Sequence, residues 1–180
     1  MAFVAAPGPE FAVRFDIEHR FACPPARFWE LFWDPEFDRR VDEAAGTRRT
    51  VVHEWREGEM RCWRSRFETS TEGESSVTSL LGRGLLDYEQ ESRLDERRGE
   101  LAWRVIPGPL PLGVTLSARG TMRVVPDGEG CLRRVTGEVR VGVPLVGGSI
   151  EAAVCRRVRS SYEQAARVLR AMLAEGGTRP

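Results

Sequence analysis

Two histidines, a tyrosine, a glutamine and a serine are the side chains of this chain best suited to chemistry inside a pocket. His19 lies on the apolar side of an alternating segment, with Phe15, Ile17 and Phe21 as same-face neighbours. A histidine there can anchor a polar group or move a proton, or it can be a hydrogen-bonded core residue. His53 lies among Val51, Val52 and Trp55, and its direction is open, with a packed core role favoured. If Leu86 and Leu94 face a core, a period of two sends Tyr88, Gln90 and Ser92 inward with them. Buried polar groups of this kind must pair with each other, with water or with a ligand. Glu89 and Glu91 fall on the opposite side and read as a solvated face. Trp63, with Phe67, and Trp103, with Leu101 and Val105, mark the inner sides of two further strands. A mostly apolar wall with a few polar groups is the common form of a small-molecule site.

Catalytic signatures are missing. The chain contains no HExxH, GxSxG, P-loop or GxGxxG pattern. Cys23, Cys62, Cys131 and Cys155 are scattered without CxxC spacing, so neither a metal site nor a disulfide framework is expected. No catalytic residue, metal or cofactor is assigned. The cysteines read as reduced thiols of a cytoplasmic protein.

Charge excludes further classes. The 27 basic residues, all arginine, balance 27 acidic ones. That gives no case for a nucleic-acid partner. No apolar run reaches the roughly 18 residues of a membrane span, and the N-terminal residues lack a charged signal region. Membrane contact is expected to be transient at most, and oligomeric state is not readable.

The elements that must position these residues follow from periodicity. Residues 11–21 alternate cleanly and read as a half-buried strand. Pro24-Pro25 opens a short helix, and Asp34-Pro35 opens a second with Asp34 as N-cap. Segments 49–56 and 60–69 form a hairpin across Glu57-Gly-Glu59. Residues 76–82 suit one helical turn. Segments 86–94 and 101–106, then 114–125 and 132–143, form two more hairpins. The loop over residues 107–113 presents Leu110 and Leu112 as a portal flap, a membrane-touching tip or a fold-back onto the core. A long helix over 149–174 closes the chain, with Ser149 as N-cap and Gly176 as its left-handed stop. Its apolar face carries Ile150, Val154, Val158, Ser161, Ala165, Val168, Leu169 and Met172.

This order resembles the START-like, or SRPBCC, helix-grip superfamily. The resemblance is carried by Ile17-Glu-His-Arg-Phe-Ala-Cys-Pro-Pro-Ala-Arg-Phe-Trp29 and by Val143-Pro-Leu-Val-Gly-Gly-Ser-Ile-Glu151. Leu80-Leu-Gly-Arg-Gly84 and Gly120-Thr-Met-Arg-Val124 look like members of a bacterial branch of unknown function. It implies an α+β fold, with a curved antiparallel sheet of about seven strands around the terminal helix and two short helices after the first strand. One START-like domain would span 11–174, between flexible residues 1–10 and 175–180. The implied function is binding of a lipid, sterol-like or polyketide-like molecule, with its transfer left open. Its contacts would be His19, Trp63, Tyr88, Gln90 and Trp103 on the sheet and Val154, Val158, Ser161 and Ala165 on the helix. A polyketide cyclase or aromatase using the same cavity is the first alternative. A protein-binding module using the charged outer face is the second.

Overall fold

The computed structural model describes residues 11–69, 87–142 and 148–176. The first strand forms as its alternation dictates. In β1 (Phe11–Phe21), Phe15, Ile17, His19 and Phe21 are buried while Arg14, Asp16, Glu18 and Arg20 are exposed. Pro24 then stands ahead of α1 (Pro25–Phe32), whose buried face is Phe28 and Leu31. In α2 (Pro35–Ala45), the Asp34 carboxylate accepts a hydrogen bond from the Glu36 amide at 2.9 Å. Gly46 ends that helix at φ 62°, a left-handed conformation that costs glycine little.

Six more strands follow: β2 (Thr47–Glu57), β3 (Met60–Thr69), β4 (Tyr88–Asp95), β5 (Glu100–Pro107), β6 (Thr115–Asp127) and β7 (Gly130–Gly142). Together with β1 they make one seven-stranded antiparallel sheet in the order β1-β7-β6-β5-β4-β3-β2. A final helix, α3 (Gly148–Gly176), packs mainly against β1, β7, α1 and α2. The architecture is the α+β helix-grip fold, a curved sheet with one long terminal helix.

Several local expectations are corrected. The terminal helix begins at Gly148 and runs through Gly176, so Ser149 lies inside it and Gly176 continues it. The helical turn expected at 76–82 and the motif at 80–84 lie outside the described residues, as does Leu86. A register shift between Val51 and His53 interrupts β2, and His53 is exposed there, its ring stacked on Trp55 at 5.1 Å. Leu110 packs against the core, whereas Leu112 is fully exposed. Cys23, Cys62, Cys131 and Cys155 are all buried, and no disulfide joins them.

One row of paired residues organises the inner face. Trp63, Ser92, Trp103, Gly120, Gly137 and Phe15 are register partners in succession across β3, β4, β5, β6, β7 and β1. Small residues separate the large rings along it, with two glycines side by side between Trp103 and Phe15. A Cβ on Gly120 would lie 2.7 Å from the Trp103 ring, and one on Gly137 would lie 2.5 Å from Phe15. The two glycines thus let Trp103 and Phe15 lie down on the sheet, stacked with centroids 6.3 Å apart. They form an aromatic floor opposite the terminal helix.

Candidate functional site

The sheet places the expected contacts in three groups. The first is near the floor. Trp63 and Trp103 are buried, and Trp63 packs edge-on against Trp33, with centroids 5.1 Å apart. The buried Trp103 indole N–H has the Tyr162 hydroxyl of α3 as its acceptor, in a contact that falls short of strict hydrogen-bond geometry. Burial keeps that tyrosine well above its ordinary pKa, so its hydroxyl is neutral.

The second group lies on β3 and β4. The Gln90 amide donates to the Ser92 hydroxyl at 3.1 Å, so these two expected contacts partly satisfy each other. Ser65, the register partner of Gln90, is 2% exposed, and its hydroxyl has no hydrogen-bond partner among the described residues. Tyr88 stacks on Phe67 with centroids 5.0 Å apart, and burial raises its pKa.

The third group was only half visible in the sequence. His19 and Arg133 are register partners on β1 and β7, and both are buried. Arg133 Nη2 lies 2.9 Å from His19 Nδ1 and donates to the Tyr162 carbonyl at 2.9 Å. A guanidinium can only donate. Nδ1 therefore accepts, and neutral His19 carries its proton on Nε2. That nitrogen lies 3.0 Å from the Glu163 carboxylate. The contact is too bent to satisfy strict hydrogen-bond geometry, but its length suits an N–H facing an oxygen. Burial, then the adjacent Arg133 charge, lowers the His19 pKa despite Glu163. Both ring nitrogens are thus committed within the protein. His19 orients Arg133 and has no nitrogen left for a ligand.

Arg133 is the residue that reading for motifs missed. Its guanidinium lies between the Phe21 and Tyr162 rings, 5.5 and 5.4 Å from their centroids. Burial pulls its pKa down to about 10, which leaves it charged at neutral pH. The signal was present: alternation along β7 puts Arg133 on the same face as Cys131, Val135 and Val139, all buried.

On α3, Val154 is buried and Val158 and Ala165 are half-buried against the core. Ser161 is exposed, which corrects its expected place on the seam. From Val158 the step of four reaches Tyr162, and the tyrosine fills the position.

The outer face differs. A shallow depression of about 910 Å³ there is lined by Arg14, Asp16, Glu91, Arg104, Arg119 and Glu138, among others. Glu91, expected to be solvated, is 4% exposed. It accepts from Arg64, Arg93 and Arg104 at 3.1, 3.3 and 3.0 Å. Burial pushes its pKa up, but these partners outweigh burial and hold it below the usual carboxylate range. Among the described residues, no group of three or more His, Cys, Asp or Glu side chains could hold a metal.

The model of a family described as "Protein of unknown function (DUF2505)" matches residues 16–173. No curated protein sequence matches the chain. Several solved structures share its fold. A protein from Thermus thermophilus superposes with a TM-score of 0.64 at 18% identity, covering 92% of this chain and 100% of that one. The ZhuI aromatase/cyclase from a Streptomyces species gives 0.61 at 15%, covering 90% and 93%. Norcoclaurine synthase from Thalictrum flavum, in complex with dopamine and hydroxybenzaldehyde, gives 0.59 at 14%, covering 97% and 96%. At such identities the likeness establishes the fold alone.

Proposed function

The chain belongs to the DUF2505 family of unknown function, and from the inner face of its sheet we propose that it binds a hydrophobic small molecule between that face and α3. One observation carries the reading. On a wall of Phe15, Trp63, Trp103 and aliphatic side chains, the Ser65 hydroxyl is buried with no hydrogen-bond partner among the described residues. Such groups are uncommon in native interiors, and each costs about 1–3 kcal/mol until something pairs with it. An apolar molecule carrying a polar atom would cover the wall and pair with the hydroxyl. Ten buried methylenes would contribute roughly 8 kcal/mol before the costs of association. A protein of the same fold holds dopamine and hydroxybenzaldehyde, which supports a small-molecule role.

A lipid, a sterol-like or a polyketide-like compound suits this site. Transfer between membranes would be brief and would use the exposed Leu112 as a tip. Buried cysteines that form no disulfide suit a reducing cytoplasm. Cyclase or aromatase chemistry in the same space is the second reading, favoured by the likeness to an aromatase/cyclase.

Native mass spectrometry of the protein purified from its own host tests the proposal. The expected result is a stoichiometric hydrophobic compound that leaves on organic extraction. An empty protein that also takes up nothing from a panel of lipids and polyketides would overturn it. Conversion of the bound compound during incubation would select the second reading.

A further inference from the structure

Arg133 has more donors than the protein uses. A guanidinium carries five N–H groups. Nη2 serves His19 and the Tyr162 carbonyl, while Nε is buried with no acceptor, and Nη1 makes no hydrogen bond to a described residue. No carboxylate contacts Arg133 among the described residues. Glu163, the acid whose charge bears on it, faces His19 instead. Arg170, with its guanidinium 5.4 Å from the Phe21 ring, adds a second positive charge nearby. With His19 neutral, Arg133 and Arg170 against Glu163 leave this corner at +1. A cation buried without an opposite charge is costly, and proteins ordinarily pair it directly.

The corner adjoins the proposed ligand space. Tyr162 links the two, since its carbonyl takes an Arg133 N–H while its side chain runs to the Trp103 indole on the aromatic floor. From these features we infer that the ligand carries a carboxylate, which pairs with the Arg133 guanidinium while its apolar body lies toward Trp103. This deepens the binding proposal and rests on it. A single carboxylate matches the local charge of +1, supplies an acceptor to the open N–H groups and leaves the His19 and Glu163 contacts intact. His19 is then a positioning residue. Its neutral Nδ1 accepts from Arg133 and holds the guanidinium against the Tyr162 carbonyl.

Two probes of equal length test the inference: dodecanoate and dodecan-1-ol, titrated by calorimetry at pH 8. Dodecanoate should bind wild type about tenfold or more tightly than the alcohol, because only the carboxylate brings an opposite charge and two acceptor oxygens to the guanidinium. Arg133→Met should bring dodecanoate down close to the affinity of the alcohol, and the alcohol should lose far less than the acid does. Equal binding of the two probes to wild type would overturn the carboxylate inference while leaving hydrophobic binding in place. Binding of neither would overturn both. If Arg133→Met does not fold, wild type still decides through dodecanoate labelled with ¹³C at the carboxyl. Its bound carbon should stay ionised to a lower pH than free dodecanoate. A bound carboxyl titrating with the free acid would contradict the pairing.

Discussion

Glu91 and Arg133 are both charged, both almost wholly enclosed by one sheet, and treated in opposite ways. Glu91, on the outer face, is flanked in register by Arg64 on β3 and Arg104 on β5, and Arg93 reaches it along its own strand. Three guanidiniums enclose one carboxylate. Arg133, on the inner face, meets a neutral imidazole, a backbone carbonyl and two aromatic rings. The outer charge is satisfied by the fold itself. The inner charge is left for a partner from outside. The difference separates structural from functional burial of charge, and it makes the outer face a poor candidate for a ligand site despite the depression there.

The comparison can be broken most severely at the glycines beneath the inner floor. A Cβ at position 137 would lie 2.5 Å from both the Arg119 carbonyl and the Phe15 ring. Gly137→Val should therefore cost about 3 kcal/mol, because overpacking here moves backbone as well as a ring; urea denaturation measures it. Next comes the outer charge. Glu91→Gln should cost about 2 kcal/mol, the loss of charge-assisted bonds moderated by the partial exposure of the arginines. The folded pKa of Glu91 is depressed, so its contribution is complete above the unfolded value of about 4.3 and disappears as pH falls through the folded value. Denaturation midpoints of wild type and Glu91→Gln should thus converge in acid. A constant gap would refute the pairing.

Arg133→Met should behave differently, staying within about 1 kcal/mol of wild type or exceeding it, since an apolar replacement removes an uncompensated buried charge. A loss as large as that of Glu91→Gln would erase the contrast between the faces. The smallest effect belongs to His19. Its folded pKa is lowered, so below the ordinary value of about 6.5 the unfolded chain binds a proton that the folded chain refuses. Its contribution is present above that pH and declines as pH falls toward the folded pKa. Arg133, Glu163 and Arg170 are the charges that bear on the ring. The melting temperature should decline between about pH 7 and 5, and His19→Asn should flatten that slope.

Strands and helices were legible because each is a local pattern. The alternation of residues 11–21 and the proline-led helix starts needed only neighbours in sequence. The site was less legible because it depends on register. Nothing local says that Trp63, Ser92 and Trp103 share one row, or that Glu91 sits between Arg64 and Arg104. Those facts arise only when β3, β4 and β5 align. Arg133 was within reach of a period-two reading of β7, which places it on one face with Cys131, Val135 and Val139. Ser161 and Tyr162 show the limit of helical spacing. Steps of three and four from Val158 are equally allowed, and the larger ring took the buried place.

Thermal unfolding with and without dodecanoate tests the central claim most directly, in wild type, Glu91→Gln and Arg133→Met side by side. The account predicts that the acid raises the melting temperature of wild type and Glu91→Gln by the same amount and that of Arg133→Met by far less. An equal rise in all three proteins, or no rise in any, would contradict it.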